Sequence, residues 1–118
     1  MTKLSVIGTG YLGLTHAACM ASLGHQVIAF DIDEAKIATL KTGKVPFHEP
    51  GLDPIVAQEI ASGRLTFTTS WQDVADQADV HFICVGTPQS AYSEAADMSQ
   101  VRGAVHSLPF STKEWKIY

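Results

Sequence analysis

The run Val6-Ile7-Gly8-Thr9-Gly10-Tyr11-Leu12-Gly13 places three glycines at the spacing G-x-G-x-x-G, directly after one apolar stretch and directly before another. Glycines so placed restrict a fold strongly, because the motif needs a strand on one side and a helix on the other. Upstream, Lys3-Leu4-Ser5-Val6-Ile7 is apolar enough for a buried parallel strand. Downstream, Tyr11 to Leu23 is compatible with a helix that Gly24 closes. In that setting Gly8 makes the tight turn out of the strand, Gly10 lets a pyrophosphate approach the backbone, and Gly13 lets the helix pack against the strand. The helix start adds N–H donors and roughly half a positive charge.

The rest of the chain continues the alternation. Gln26 to Phe30 reads as a second strand. A helix from about Glu34 to Thr42 follows, with Asp33 as N-cap and Gly43 at the left-handed position after its end. Lys44 to Pro50 is a loop, and a helix from about Leu52 to Ser62 presents Leu52, Ile55, Val56 and Ile60 on one face. Leu65 to Thr68 is a third strand, and Ser70 to Gln77 a short helix in which Ser70 and Asp73 resemble a capping box. Val80 to Val85 is a fourth strand. A loop from Gly86 to Ala96 leads to a helix that starts at Asp97 and ends near Leu108, and Trp115 to Tyr118 is a fifth strand. This order predicts an α/β chain: a Rossmann-type doubly wound parallel sheet, incomplete, of about five strands in the order 3-2-1-4-5. The ligand crevice is expected above the C-terminal ends of strands 1 and 4.

Composition narrows the partners. With 46% hydrophobic and 17% charged residues the 118-residue chain is expected to form one packed domain. Its net charge of −4 argues against nucleic acid, so a bound phosphate must be held by local backbone geometry. The apolar runs are too short for a membrane span, and the N-terminus has no secretory-signal pattern. Cys19 and Cys84 have no metal-ligand spacing, which fits a reduced, cytoplasmic compartment. Both read as small buried thiols, and no histidine has a visible nucleophile partner.

Asp31 follows the second strand and lies 18 residues beyond Gly13, where a carboxylate accepts hydrogen bonds from the adenosine ribose. It would repel a 2′-phosphate, so NAD is expected over NADP. Lys36, from spacing alone, is a solvated surface lysine. Val85-Gly86-Thr87-Pro88 ends the fourth strand and borders the crevice, with Gly86 permitting close approach and Thr87 able to donate a hydrogen bond.

Taken together, these segments and several others resemble the N-terminal NAD-binding domain of the UDP-glucose/GDP-mannose dehydrogenase family. The matching stretches are Val6 to Leu14, Phe30-Asp31-Ile32-Asp33 with Lys36, His48-Glu49-Pro50-Gly51-Leu52, Gly63 to Thr69, Val85 to Pro88 and Ala96 to Ser99. The resemblance implies that Leu12, Asp31, Lys36 and Thr87 contact NAD together with the glycine turn. It also implies oxidation of the C6 alcohol of a nucleotide sugar to a carboxylate by two NAD, with a cysteine carrying the intermediate as a thioester. That cysteine belongs to a Gly-Gly-Ser-Cys-like segment, which this sequence lacks, and neither Cys19 nor Cys84 matches it. The expectation is therefore a truncated NAD-binding domain over residues 1–118, inactive alone, with the sugar-binding and catalytic-cysteine domains absent. The alternatives are a non-catalytic dinucleotide-binding module completed by another chain, or a different Rossmann dehydrogenase. The outer strand leaves a sheet edge that invites self-pairing, so a homo-oligomer is among the expected outcomes.

Overall fold

A computed structural model describes residues 2–45, 50–85, 102–103 and 114–117. Five parallel strands form one sheet in the order β3-β2-β1-β4-β5. The strands are β1 (Lys3–Ile7), β2 (Gln26–Phe30), β3 (Leu65–Thr68), β4 (Val80–Ile83) and β5 (Glu114–Ile117). The helices are α1 (Tyr11–Ser22), α2 (Glu34–Lys41), α3 (Leu52–Ser62) and α4 (Trp71–Gln77).

The pleat explains why β1 and β2 read as nearly continuous apolar runs. Leu4 and Val6, with Val27 and Ala29, face one side and join a core with α1, α2 and α3. Ile7 and Phe30 face the other side and pack with Val74 of α4 and Ile83. Both faces are covered, so each strand needs apolar residues at successive positions. The Phe30 and Trp71 rings meet at 4.0 Å between centroids, which anchors α4 to that second face.

Helix ends follow local chemistry. Asp33 accepts a hydrogen bond from the Lys36 N–H at 3.0 Å and caps α2. Ser70 caps α4 by accepting from the Asp73 N–H. The return half of the expected capping box is different. Asp73 accepts from the Thr68 hydroxyl at 2.9 Å, and Thr68 in turn accepts from the Ser70 N–H at 3.0 Å. The last turn of α3 is tied down by Glu59, which is buried and accepts a hydrogen bond from Arg64 Nε at 2.8 Å. The same nitrogen donates to the Ala21 carbonyl at 3.1 Å, which joins the ends of α1 and α3.

Some expectations change. β4 ends at Ile83 rather than Val85, although the Cys84 N–H still donates to the Ile7 carbonyl at 2.7 Å. Cys19 is exposed, not buried, and Cys84 is half-buried just past its strand. His81 does have a hydroxyl partner: its Nδ1 lies 2.6 Å from Ser5 Oγ, across the β1–β4 register. Both side chains are fully buried within the sheet, so the pair is structural and out of reach of a substrate. The loop from Gly86 to Ala96, the Asp97 helix start and Tyr118 lie outside the described residues. Among the described residues no helix is long and apolar enough to cross a membrane, and no cluster of three potential metal ligands occurs.

Candidate functional site

Parallel register brings the C-terminal ends of the strands to one edge. Ile7 stands between Phe30 and Ile83, and Phe30 stands beside Thr68. Gly8, Asp31 and Cys84 leave the sheet from this edge, so residues far apart in sequence meet there.

Gly8 takes φ +103°, a left-handed conformation that glycine adopts without strain. Its amide donates to the Phe30 carbonyl at 2.8 Å, and a Cβ on it would lie 2.6 Å from the Cys84 carbonyl oxygen. A Cβ on Gly13 would collide with the Gly8 carbonyl oxygen. The turn is thus closed on itself and against the end of β4. Gly10 differs: a Cβ there would meet nothing within 4 Å. Gly10 is also the N-cap of α1, with no side-chain cap and no acidic residue in the first turn. An uncapped helix start with open space before it is a site for an anion.

Asp31 sits beside this turn. Its Oδ2 accepts from the Thr9 hydroxyl at 2.7 Å and from the Thr9 N–H at 3.0 Å. Its Oδ1 accepts from the Asp33 N–H at 3.0 Å. Lys36 Nζ lies 3.6 Å from Oδ2, so Lys36 is an ion-pair partner rather than a merely solvated lysine. Burial alone would raise the Asp31 carboxyl, but the bonds from Asp33 and Thr9, with the Lys36 charge, hold it below its ordinary value.

The first turn of α1 exposes Tyr11 and Leu12, and Ile32 is 78% exposed beside Asp31. Exposed apolar side chains beside an uncapped helix start suit a ligand with both charged and flat apolar parts. Val85 is half-buried and packs against the Ile7, Phe30, Val74 and Ile83 cluster, so its side chain belongs partly to the core. Gly86 and Thr87 lie outside the described residues. The structure thus brings together Gly8, Gly10, Tyr11, Leu12, Gly13, Asp31 and Lys36. Sequence reasoning missed Thr9 and Ile32. The available signals were a hydroxyl inside the glycine run and an apolar residue between two aspartates.

Comparison with known proteins establishes the family and the fold. A UDP-glucose 6-dehydrogenase of Rhizobium meliloti is 45% identical over 106 residues, which are 90% of this chain and 24% of that protein. One from Bacillus subtilis is 40% identical over 117 residues, 99% of this chain and 25% of the relative. The chain therefore spans about a quarter of the length of these relatives. Among solved structures, a UDP-glucose dehydrogenase from Pyrobaculum islandicum superposes with a TM-score of 0.87 at 36% identity, over 92% of this chain and 25% of that one. A GDP-mannose dehydrogenase from Pseudomonas aeruginosa gives 0.82 at 37% identity, over 86% of this chain and 23% of that one. The family model described as "UDP-glucose/GDP-mannose dehydrogenase family, NAD binding domain" matches residues 2–117 and takes in every strand and helix described above. The chain belongs to that family, and within it to the NAD-binding domain.

Proposed function

We propose that this chain supplies the NAD-holding part of an enzyme that oxidises the C6 alcohol of a nucleotide sugar to a carboxylate. The observation that carries the reading is the glycine turn joined to Asp31 at the C-terminal edge of β1 and β2. NAD, when bound, supplies the hydride acceptor. The chain's own residues bind and orient it.

The residues present fit a dinucleotide. The open space at Gly10, before a helix start with neither cap nor acid, accommodates a pyrophosphate. Gly8, Gly10, Tyr11, Leu12 and Gly13 form that cradle in this reading. Asp31 accepts from the adenosine ribose, with Lys36 alongside it, and Ile32 offers an apolar ledge to the adenine. Val85, half-buried just past the end of β4, borders the cradle on that side, and Gly86 and Thr87 are assigned to NAD on the family resemblance alone. The nucleotide-sugar site and the cysteine that carries the intermediate are assigned to protein outside these 118 residues.

Isothermal titration of the purified chain tests the cofactor assignment. NAD should bind more tightly than NADP by about tenfold, because a 2′-phosphate would be set against the Asp31 carboxylate. Lys36 at 3.6 Å offsets part of that charge and keeps the preference moderate. Equal or reversed affinities would remove Asp31 from the ribose site.

A further inference from the structure

The Asp31 carboxylate is unequally used. Oδ2 takes two hydrogen bonds, both from Thr9, and faces Lys36 as well. Oδ1 takes one, from the Asp33 N–H. A carboxylate oxygen offers about two acceptor positions. Oδ2 is therefore full and Oδ1 keeps one position. The Thr9 side chain is fully buried, so its hydroxyl cannot exchange Asp31 for water. Asp33 is itself fixed as the cap of α2. The carboxylate is clamped at both oxygens, and the clamp decides which lone pair points outward.

We infer that Thr9 is a positioning residue for the cofactor: its buried hydroxyl and amide occupy Oδ2 of Asp31, so that Oδ1 alone is presented to a ribose hydroxyl. The inference rests on the reading that Asp31 meets the adenosine ribose. Thr9 touches no cofactor atom in this arrangement and acts through Asp31. Without the hydroxyl, one of the three hydrogen bonds to the carboxylate is lost. The carboxylate keeps the two N–H donors and the Lys36 charge but loses its shortest bond, so Oδ1 is held less firmly, and ribose recognition weakens while the phosphate cradle keeps its shape.

The test compares NAD with its 2′-deoxyadenosine analogue in calorimetric titrations of the wild-type chain, Thr9→Val and Thr9→Ser. The wild type should prefer NAD. Thr9→Val should lose roughly tenfold in NAD affinity, in line with loss of a hydrogen bond to a charged group, and should bind the analogue nearly unchanged. The ratio between the two ligands then falls towards one. Thr9→Ser keeps the hydroxyl and should restore most of the ratio. A merely structural role would weaken both ligands equally and leave the ratio alone, which overturns the proposal. Failure of Thr9→Ser to restore the ratio overturns it too. If Thr9→Val does not fold, Thr9→Ala takes its place, since a smaller side chain cannot overfill the buried niche. A wild-type chain that binds both ligands alike, or neither, defeats the ribose reading itself. Discrimination that survives in Thr9→Val defeats only the role of Thr9.

Discussion

A methyl group on Gly13 would collide with the Gly8 carbonyl oxygen and sit 3.3 Å from Cys84 Cβ. The obstacle is backbone, which cannot swing aside as a side chain can. Gly13→Ala should therefore cost about 3 kcal/mol, at the upper end of overpacking, measured as a lowered denaturation midpoint. Gly10→Ala should cost under about 1 kcal/mol, since only the capping preference changes, yet it should weaken NAD binding by filling the cradle. The two cysteines give a second residue-scale test. Cys19 is exposed, whereas burial pushes the half-buried Cys84 thiol up. Iodoacetamide at neutral pH should modify Cys19 about tenfold faster or more, read by peptide mass spectrometry. The glycines were legible because their spacing is itself the signal. The environment of Cys19 was not. α1 carries no Asp, Glu, Lys or Arg, so apolar residues ring the whole helix and do not mark which face is outside. Thr9 and Ser5 were missed for another reason: each meets a partner 22 or 76 residues away, and only the sheet register brings them together.

At the scale of elements, caps were read correctly where donor and acceptor lie within one turn. Asp33 and Ser70 both do what a short polar residue before a helix should do. The reading failed where a third residue entered. Thr68, at the end of β3, takes the Ser70 amide and occupies Asp73, which a two-residue capping pattern cannot foresee. The Glu59–Arg64 link was likewise invisible, because a glutamate on an apolar helix face reads as an interruption until its partner is in place. The hydrogen bond from Arg64 holds the Glu59 carboxyl below its usual value, with help from Ser62 and the Arg64 charge and against the effect of burial. Asp31 is held low as well. For both groups the unfolded chain binds protons more readily than the folded one. Their stabilisation is therefore complete above the ordinary carboxylate range and disappears as pH falls through the lower folded values. Burial also holds the His16 imidazole below its ordinary value, so thermal midpoints should begin to ease downwards below about pH 6.5 and drop further below about pH 4. Glu59→Gln should flatten part of that acid limb while lowering the neutral-pH midpoint by several degrees. A limb unchanged in Glu59→Gln would assign the acid sensitivity to other carboxylates.

The whole molecule was the most legible scale. Five apolar runs separated by helical patterns, with the glycine turn after the first, led to the observed order β3-β2-β1-β4-β5. Parallel crossovers have one handedness, so few arrangements compete. Boundaries were less secure: β4 ends two residues early because Cys84 and Val85 leave the sheet where Gly8 presses against it. The NAD-holding role makes a prediction at this scale. NAD at 100 times its dissociation constant should stabilise the chain by about 2.7 kcal/mol, seen as a raised thermal midpoint, and NADP at the same concentration by less. With UDP-glucose added, no NADH should accumulate, since the proposed nucleophile is neither Cys19 nor Cys84. Steady absorbance growth at the reduced-nicotinamide band would refute that assignment.

The attachments of Asp31 also bear on protein engineering. The simplest route to a changed cofactor preference would be a swap at the acidic position alone. Here that carboxylate also fastens the residue inside the glycine run and the amide of the residue that caps α2. A replacement without an acceptor oxygen would leave the buried Thr9 hydroxyl unpaired, and any neutral one would leave Lys36 without its counter-charge. Redesign at position 31 therefore has to be a redesign of positions 9, 31 and 36 together, with Thr9 exchanged for an apolar side chain of similar shape and Lys36 redirected to the new phosphate.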